Sequence, residues 1–335
     1  MDLPTVWFFL IATLWLGYFF LEGFDFGVGM LLGIGTRDEK ERRVLINTIG
    51  PVWDGNEVWV IVAVGATFAA FPDWYAALLS GAYLPVLFVL LSLIGRGVAF
   101  EYRGKVDGVR WRRNWDRVIQ IGSWLPPLGW GFIITATVTG LPIDVNGDLR
   151  GGLIDLVRVE TLLGALALAG FSLLHGAVFL ALKTDGDIRW RMQRFASRYG
   201  ALLLLPGAAL LAIVQFRHGA AWTAVIAGVA VLASIGALLL LPRGRAGRAF
   251  TLLGVMLAAV VVVLFGSLYP NVMPSTIDSM FTLTVAGAAS SPYTLSVITW
   301  VAAFGTPAVL LYQGWTYWVF RRRISTAHIP AVRVP

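Results

Sequence analysis

A chain of 335 residues that is 58% hydrophobic and only 13% charged cannot clothe itself in a soluble surface, which usually carries roughly 25% charge. The composition describes an all-α polytopic membrane protein, with 14 Trp and 20 Phe to supply interfacial belts and lipid-facing side chains. The lack of Cys excludes disulfides, thiolate-ligated clusters and cysteine nucleophiles, and three His are too few for a self-contained multi-haem protein.

Windows of about 19 residues predict nine transmembrane spans, over 6–34, 51–71, 77–101, 118–139, 157–182, 198–216, 222–242, 246–269 and 292–320. Residues 1–335 thus read as a single integral-membrane subunit. The first stretch has no basic flank and no small-residue cleavage site, so it reads as a retained span rather than a signal peptide. Of the 26 Lys and Arg, 22 fall in the alternate segments 35–50, 102–117, 183–198, 243–248 and 321–335. The intervening connections hold two, and only Arg96 and Arg158 lie inside predicted spans. This alternation predicts an N terminus outside and a C terminus in the cytoplasm. It also explains the net charge of +7 without nucleic acid.

The first span carries Leu21-Glu22-Gly23-Phe24-Asp25-Phe26-Gly27-Val28-Gly29 in its inner half. Spacing of i,i+3 puts Glu22 and Asp25 on one helix face, while Gly23 and Gly27 permit close helix approach. An acid at that depth must be paired, hydrated or neutralised. The second span opens at Pro51, expected as a first helical residue, and continues Trp53-Asp54-Gly55-Asn56-Glu57-Val58-Trp59. Asp54 and Glu57 again share a face, and Asp54 sits in the first turn, where backbone amides favour negative charge. The bland reading is a helix cap with interfacial tryptophans; the sharper one is the cytosolic mouth of a proton-conducting polar cluster. Near the end of span three, Arg96 either snorkels or pairs across helices with Asp25, Asp54 or Glu57.

In the fifth span Asp155 and Arg158 are spaced to pair externally, and His175 is an intramembrane histidine able in principle to ligate haem or relay a proton. His218 and His328 read as surface residues. The segment 270–279, with Pro270 and Pro274, reads as an ordered turn or an interfacial helix. No phosphate-binding loop, zinc-protease or serine-hydrolase signature occurs, and no redox cofactor site belongs evidently to this chain.

The polar blocks resemble those of subunit II of the bacterial cytochrome bd-type quinol oxidases, the CydB family. The resemblance rests on Glu22 to Gly29, Arg42-Arg43 with Asn47, Trp53 to Trp59, Ser123-Trp124-Leu125-Pro126-Pro127, Asn271-Val272-Met273-Pro274-Ser275 and Leu295 to Trp300, in order along essentially the whole chain. It implies two four-helix bundles plus one peripheral helix, and an obligate partner, subunit I, of similar fold. Two haems b and one haem d, with the quinol site, are implied to lie in that partner. The implied complex oxidises quinol near the outer face and reduces oxygen to water with cytoplasmic protons, without pumping; this chain is not catalytic alone. A small accessory membrane subunit and a bound quinone or lipid are compatible with the resemblance.

By resemblance Asp54 carries a proton-pathway role, and Arg96 and Asp25 match recurrent polar positions. The polar cluster itself suggests Asp54 as the entry relay with Glu57, Asp25 and Glu22 further along the pathway, Arg96 as their charge partner, and Trp53, Gly55, Asn56, Trp59, Gly23 and Gly27 as the structural motif. Glu22 stands where some relatives carry Asp, which keeps a carboxylate at a different reach, and Glu57 where some carry Gln, which has no charge. A purely structural subunit is the alternative, and a proton-coupled secondary transporter a more distant one.

Overall fold

The structure, a computed structural model, describes residues 2–329. Among these, eleven α-helices follow in order: α1 (Leu3–Ile34), α2 (Glu39–Ile49), α3 (Trp53–Ala70), α4 (Pro72–Gly81), α5 (Tyr83–Tyr102), α6 (Val109–Thr139), α7 (Val159–Lys183), α8 (Gly186–His218), α9 (Ala221–Leu240), α10 (Ala246–Leu268) and α11 (Pro292–Val319). Seven of them, α1, α5 and α7 to α11, are long and apolar enough to cross a membrane. Helices α3 and α6 occupy the predicted second and fourth spans with more polar sequences.

Local chemistry sets the ends. Asp2 and Asp38 accept from the backbone amides of Thr5 and Glu41, capping α1 and α2. Ser291 caps α11, with Pro292 at its first position. Several expected boundaries shift. Pro51 lies in a turn that closes on α2, with the Val52 amide donating to the Ile49 carbonyl at 2.8 Å, so α3 starts at Trp53 rather than at the proline. The predicted third span is broken at Ala82, because Pro85 has no amide to continue the ladder to Gly81. Helices α6 and α8 absorb most of the basic segments 102–117 and 183–198.

The segment after α10 forms a small antiparallel pair, β1 (Asn271–Met273) with β2 (Leu283–Thr284), not an interfacial helix. Its Ser275 hydroxyl donates to the Ile143 carbonyl at 2.7 Å, tying it to the α6–α7 connection. There, Arg158 donates to the Gly140 carbonyl and the Thr139 hydroxyl, while Asp155 accepts from the Gly152 amide, so the two residues do not form the expected pair. Asp155 turns back because a 3-10 turn over Leu153–Leu156 follows Gly151.

Helix α1 is the pivot, packing on α3, α6, α7 and α10. It meets α7 at Gly27 and Gly176, so close that a Cβ on Gly27 would lie 1.9 Å from the Ser172 carbonyl oxygen. Only glycine permits that approach. Helix α6 packs on α5 and α7, α9 packs on α10, and α11 touches α3 and α1, burying only Leu295 fully.

The basic connections gather at one end of the bundle and interlock there. Arg103 donates to Asp116 at 2.5 Å and to Glu39 at 2.9 Å, joining α5, α6 and α2. Arg191 on α8 reaches Glu41 of α2 at 2.6 Å, and Arg37 reaches Asp187 at 3.2 Å. Burial pushes the Arg103 guanidinium down, but its bonds to Asp116 and Glu39 outweigh this and hold its pKa above the ordinary arginine value.

Candidate functional site: a buried carboxylate and guanidinium cluster

Three helices bring their ionisable side chains together inside the bundle. Glu22 and Asp25 project from α1, Glu57 from α3 and Arg96 from α5; Glu22, Asp25 and Arg96 have no solvent exposure at all. Arg96 donates through Nη1 to Glu22 Oε1, and the same nitrogen stands 3.8 Å from Glu57 Oε2. The rings of Phe26 and Phe100 lie 4.9 and 5.2 Å from the guanidinium carbon, adding cation–π contact on its faces. Arg96 therefore does not snorkel, and its ion-pair partners are Glu22 and Glu57 rather than Asp25 or Asp54.

Asp25 takes a different partner. Its Oδ2 accepts from Asn56 Nδ2 at 2.7 Å. Asn56 Oδ1 in turn accepts from the Tyr317 hydroxyl at 2.7 Å and from Gln313 Nε2 at 3.1 Å, both on α11. Gln313 Oε1 accepts from Trp59 Nε1 at 2.8 Å, which returns the chain of bonds to α3. Asn56 thus orients Asp25 while holding α11 against the bundle.

Several polar atoms in this cluster are buried without a hydrogen-bond partner among the described residues: Glu22 Oε2, Asp25 Oδ1, Glu57 Oε2, Arg96 Nε and Nη2, and the Tyr18 hydroxyl. Asp54 and Gly55 sit on the exposed side of α3, one turn nearer the basic end than Val58, and no ion pair engages Asp54 among the described residues. Trp53 packs on Phe100 at 5.1 Å between ring centroids. Gly23 lies against Phe171 of α7.

His175 does not fit a haem ligand. Its ring is fully buried between Phe171 and Phe250, with centroid separations of 4.9 and 4.4 Å, and Nε2 faces the Phe20 carbonyl at 3.2 Å. A separate apolar cavity of about 320 Å³ opens between α6, α7, α8, α9 and α10, lined by residues including Trp130, Phe171, Leu204, Leu238, Met256 and Val260.

The sequence pattern of the cytochrome bd terminal oxidase subunit II family matches residues 3–320. The chain belongs to this family. Along its length it is 42% identical over 329 residues to the cytochrome bd ubiquinol oxidase subunit 2 of Bacillus subtilis strain 168, covering 97% of both chains. It is 35% identical over 366 aligned positions to the cytochrome bd-I ubiquinol oxidase subunit 2 of Escherichia coli K12, covering 98% of this chain and 96% of that one. A chain in the structure of bd oxidase from Geobacillus thermodenitrificans superposes with a TM-score of 0.78 over 95% of this chain and 97% of its own, at 17% identity, a likeness of fold.

As a subunit II of the bd-type quinol oxidases, and with seven helices long and apolar enough to span, the protein is a multi-pass protein of the bacterial cell membrane. Within the family block Trp53 to Trp59, the fold separates an inward side, where Asn56 bonds Asp25, from an outward side with Asp54 and Gly55. Sequence reasoning missed Gln313 and Tyr317. The available signal was their i,i+4 spacing on an otherwise apolar helix, which places both on one face.

Proposed function

We propose that this chain is the non-haem-ligating subunit of a quinol:oxygen oxidoreductase, in which it supports a haem-bearing subunit I and contributes a proton path from the cytoplasm toward the site of oxygen reduction. The observation that carries this reading is the fully buried grouping of Glu22, Asp25 and Arg96 with the nearly buried Glu57. Such a grouping is costly in hydrocarbon and is typical of ion and proton pathways.

Nine spans, counting α3 and α6, put the N terminus outside and the basic end of the bundle in the cytoplasm, with α11 peripheral to two groups of four helices. Asp54, exposed in the first turn of α3, then collects protons at the cytoplasmic end. Glu57 shares its helix face one turn deeper and lies 3.8 Å from Arg96, whose other partner is Glu22. Two carboxylates facing one guanidinium, with Asp25 next to Glu22 on α1, leave the cluster able to exchange protons through their unpartnered oxygens. Asp25, held by Asn56, is the accessory site on the α11 side. Two haems b and one haem d in subunit I would supply the electron transfer from quinol to oxygen; this chain's own residues hold and move protons. The apolar cavity suits the hydrophobic portion of a bound quinone or lipid.

A purely structural role is the second reading, favoured by the direct bond between Arg96 and Glu22, which by itself pins α5 to α1. Purification through a tag on this chain, with a reduced-minus-oxidised visible spectrum and quinol-dependent oxygen uptake, tests the assignment. Bands of haems b and d with uptake are expected; an intact haem-free assembly without a second large subunit would return the interpretation to transport.

A further inference from the structure

At the basic end of the bundle, away from the carboxylate cluster, a pocket of about 370 Å³ is lined by Leu182, Arg189, Arg245, Ala246, Arg248 and Arg323, with Gly244 and Gly247 completing its wall. Its walls come from four places in the chain. The end of α7 supplies Leu182 and the first turn of α8 supplies Arg189. The α9–α10 turn and the first turn of α10 supply Gly244 to Arg248, and the segment after α11 supplies Arg323.

The architecture fixes these parts. Gly244 takes a left-handed φ of 71° in the turn, a conformation that favours glycine. The end of α9 is closed by Gln193 Nε2 donating to the Leu241 carbonyl at 2.9 Å. Residues after α11 are laced to the α7–α8 connection: the Ile324 amide donates to the Lys183 carbonyl at 2.9 Å, the Asp185 amide to the Ile324 carbonyl at 3.1 Å, and Arg323 Nε to the Leu182 carbonyl at 3.2 Å.

Four arginines line the pocket and, among the described residues, no carboxylate does. None of the four is in an ion pair among the described residues, whereas around α2 the carboxylates Glu39, Glu41 and Asp116 answer the arginines. Arg189 Nε is shielded from solvent and has no hydrogen-bond partner among the described residues. Helix α10 begins inside the pocket without a side-chain cap. The first turn of a helix presents unsatisfied amides and a positive dipole end, a ready receptor for phosphate, and arginine binds phosphate oxygens bidentately.

Trp190, exposed beside Arg189, and Trp318, stacked under Arg321 at 4.5 Å, mark the headgroup belt at this end of the bundle. Leu182 adds an apolar side chain to the lining beside the arginines. Basic pockets between helix ends at this level suit anionic lipid headgroups.

We propose that this pocket binds the phosphate of an anionic phospholipid, held by Arg189, Arg245, Arg248 and Arg323 over the first turn of α10. Free phosphate shares the recognising chemistry, so the test separates the two. The intact assembly, purified in detergent and depleted of lipid, is titrated with short-chain phosphatidylglycerol, with short-chain phosphatidylcholine and with inorganic phosphate, and the thermal midpoint is followed. The expected result is a rise with phosphatidylglycerol alone, with affinity at least about tenfold weaker in Arg245→Gln/Arg248→Gln, as loss of two charge-assisted contacts implies. Arg110→Gln/Arg113→Gln, which removes two exposed charges from the same end of the bundle but outside the pocket, should bind as the parent does.

An equal rise with inorganic phosphate would assign the pocket to a free anion and overturn the lipid. Unchanged binding in the pocket variant, or equal loss in the control variant, would overturn the site itself. Should the pocket variant fail to assemble, photo-crosslinking of an azido-phosphatidylglycerol to the parent protein decides: label on 186–190 and 244–248 supports the site, and label elsewhere contradicts it.

Discussion

Arg96 of α5 donates directly to Glu22 of α1 across 74 residues of sequence, and neither side chain has any solvent exposure. Removing one member of such a pair leaves a buried charge uncompensated, at a typical cost of ~3–5 kcal/mol, whereas removing both is often near neutral. Arg96→Met should therefore lower the thermal midpoint of the purified assembly strongly. Glu22→Gln/Arg96→Met should recover much of the loss. Equal midpoints for the single and double variants would show that the pair does not hold α5 to α1.

Helix α11 buries little of itself, so its polar contacts matter disproportionately. In Tyr317→Phe the hydroxyl that donates to Asn56 is lost, at about 1 kcal/mol, while Gln313 still holds the same oxygen. Faster hydrogen exchange along residues 305–319, with little change in α3, is the expected outcome. Unaltered exchange in α11 would mean that other contacts anchor it.

The glycines of the family blocks separate into two kinds. At Gly27 a methyl group would meet the backbone of α7 at 1.9 Å, so Gly27→Ala should cost about 1–3 kcal/mol or block assembly, read from the yield of monodisperse protein. At Gly55 an added methyl would meet no described residue beyond its own helix within 4 Å, so Gly55→Ala should leave this chain's fold intact. A wild-type melting curve for Gly27→Ala would contradict the packing described.

Outside the membrane, Asp144 organises the α6–α7 connection. Desolvation would raise its pKa, but amides of Asp148 and Asn146 and the Arg150 guanidinium outweigh it and hold the carboxyl below its ordinary value of 3.8. A carboxyl with a depressed folded-state pKa stabilises above its unfolded value, and that contribution is lost as pH falls through the folded one. Hydrogen exchange in 141–150 should stay slow as pH falls to about 4 and quicken only below that of a free aspartate. Asp144→Asn should be fast throughout, and a parent loop that loosens already between pH 6 and 5 would contradict the assignment.

Much of the carboxylate cluster was readable because ionisable residues in apolar helices are conspicuous: Glu22, Asp25, Glu57 and Arg96 stood out by type alone, and their shared depth followed from helix order. Which acid Arg96 takes was not readable, since helix rotation and crossing decide it, and the bond falls on Glu22. Gln313 and Tyr317 were missed because neither type is unusual near the end of an apolar helix, and their partner Asn56 is more than 250 residues away. The break at Ala82 carried its signal in Pro85, which a hydropathy window averages away. The interlock of Glu39, Arg103 and Asp116 lay in segments that charge counting treats only as topology.

Asp54 is the residue on which the proton-path reading turns. The most direct measurement compares quinol-dependent oxygen uptake in the parent assembly, Asp54→Asn and Asp54→Glu, each normalised to its haem b and d absorbance. Retained haems with uptake at least about tenfold lower in Asp54→Asn, as loss of a proton-transfer group implies, and partial recovery in Asp54→Glu are the expected results. Full uptake in an Asp54→Asn assembly with its haems intact would contradict the account and leave this chain a structural subunit.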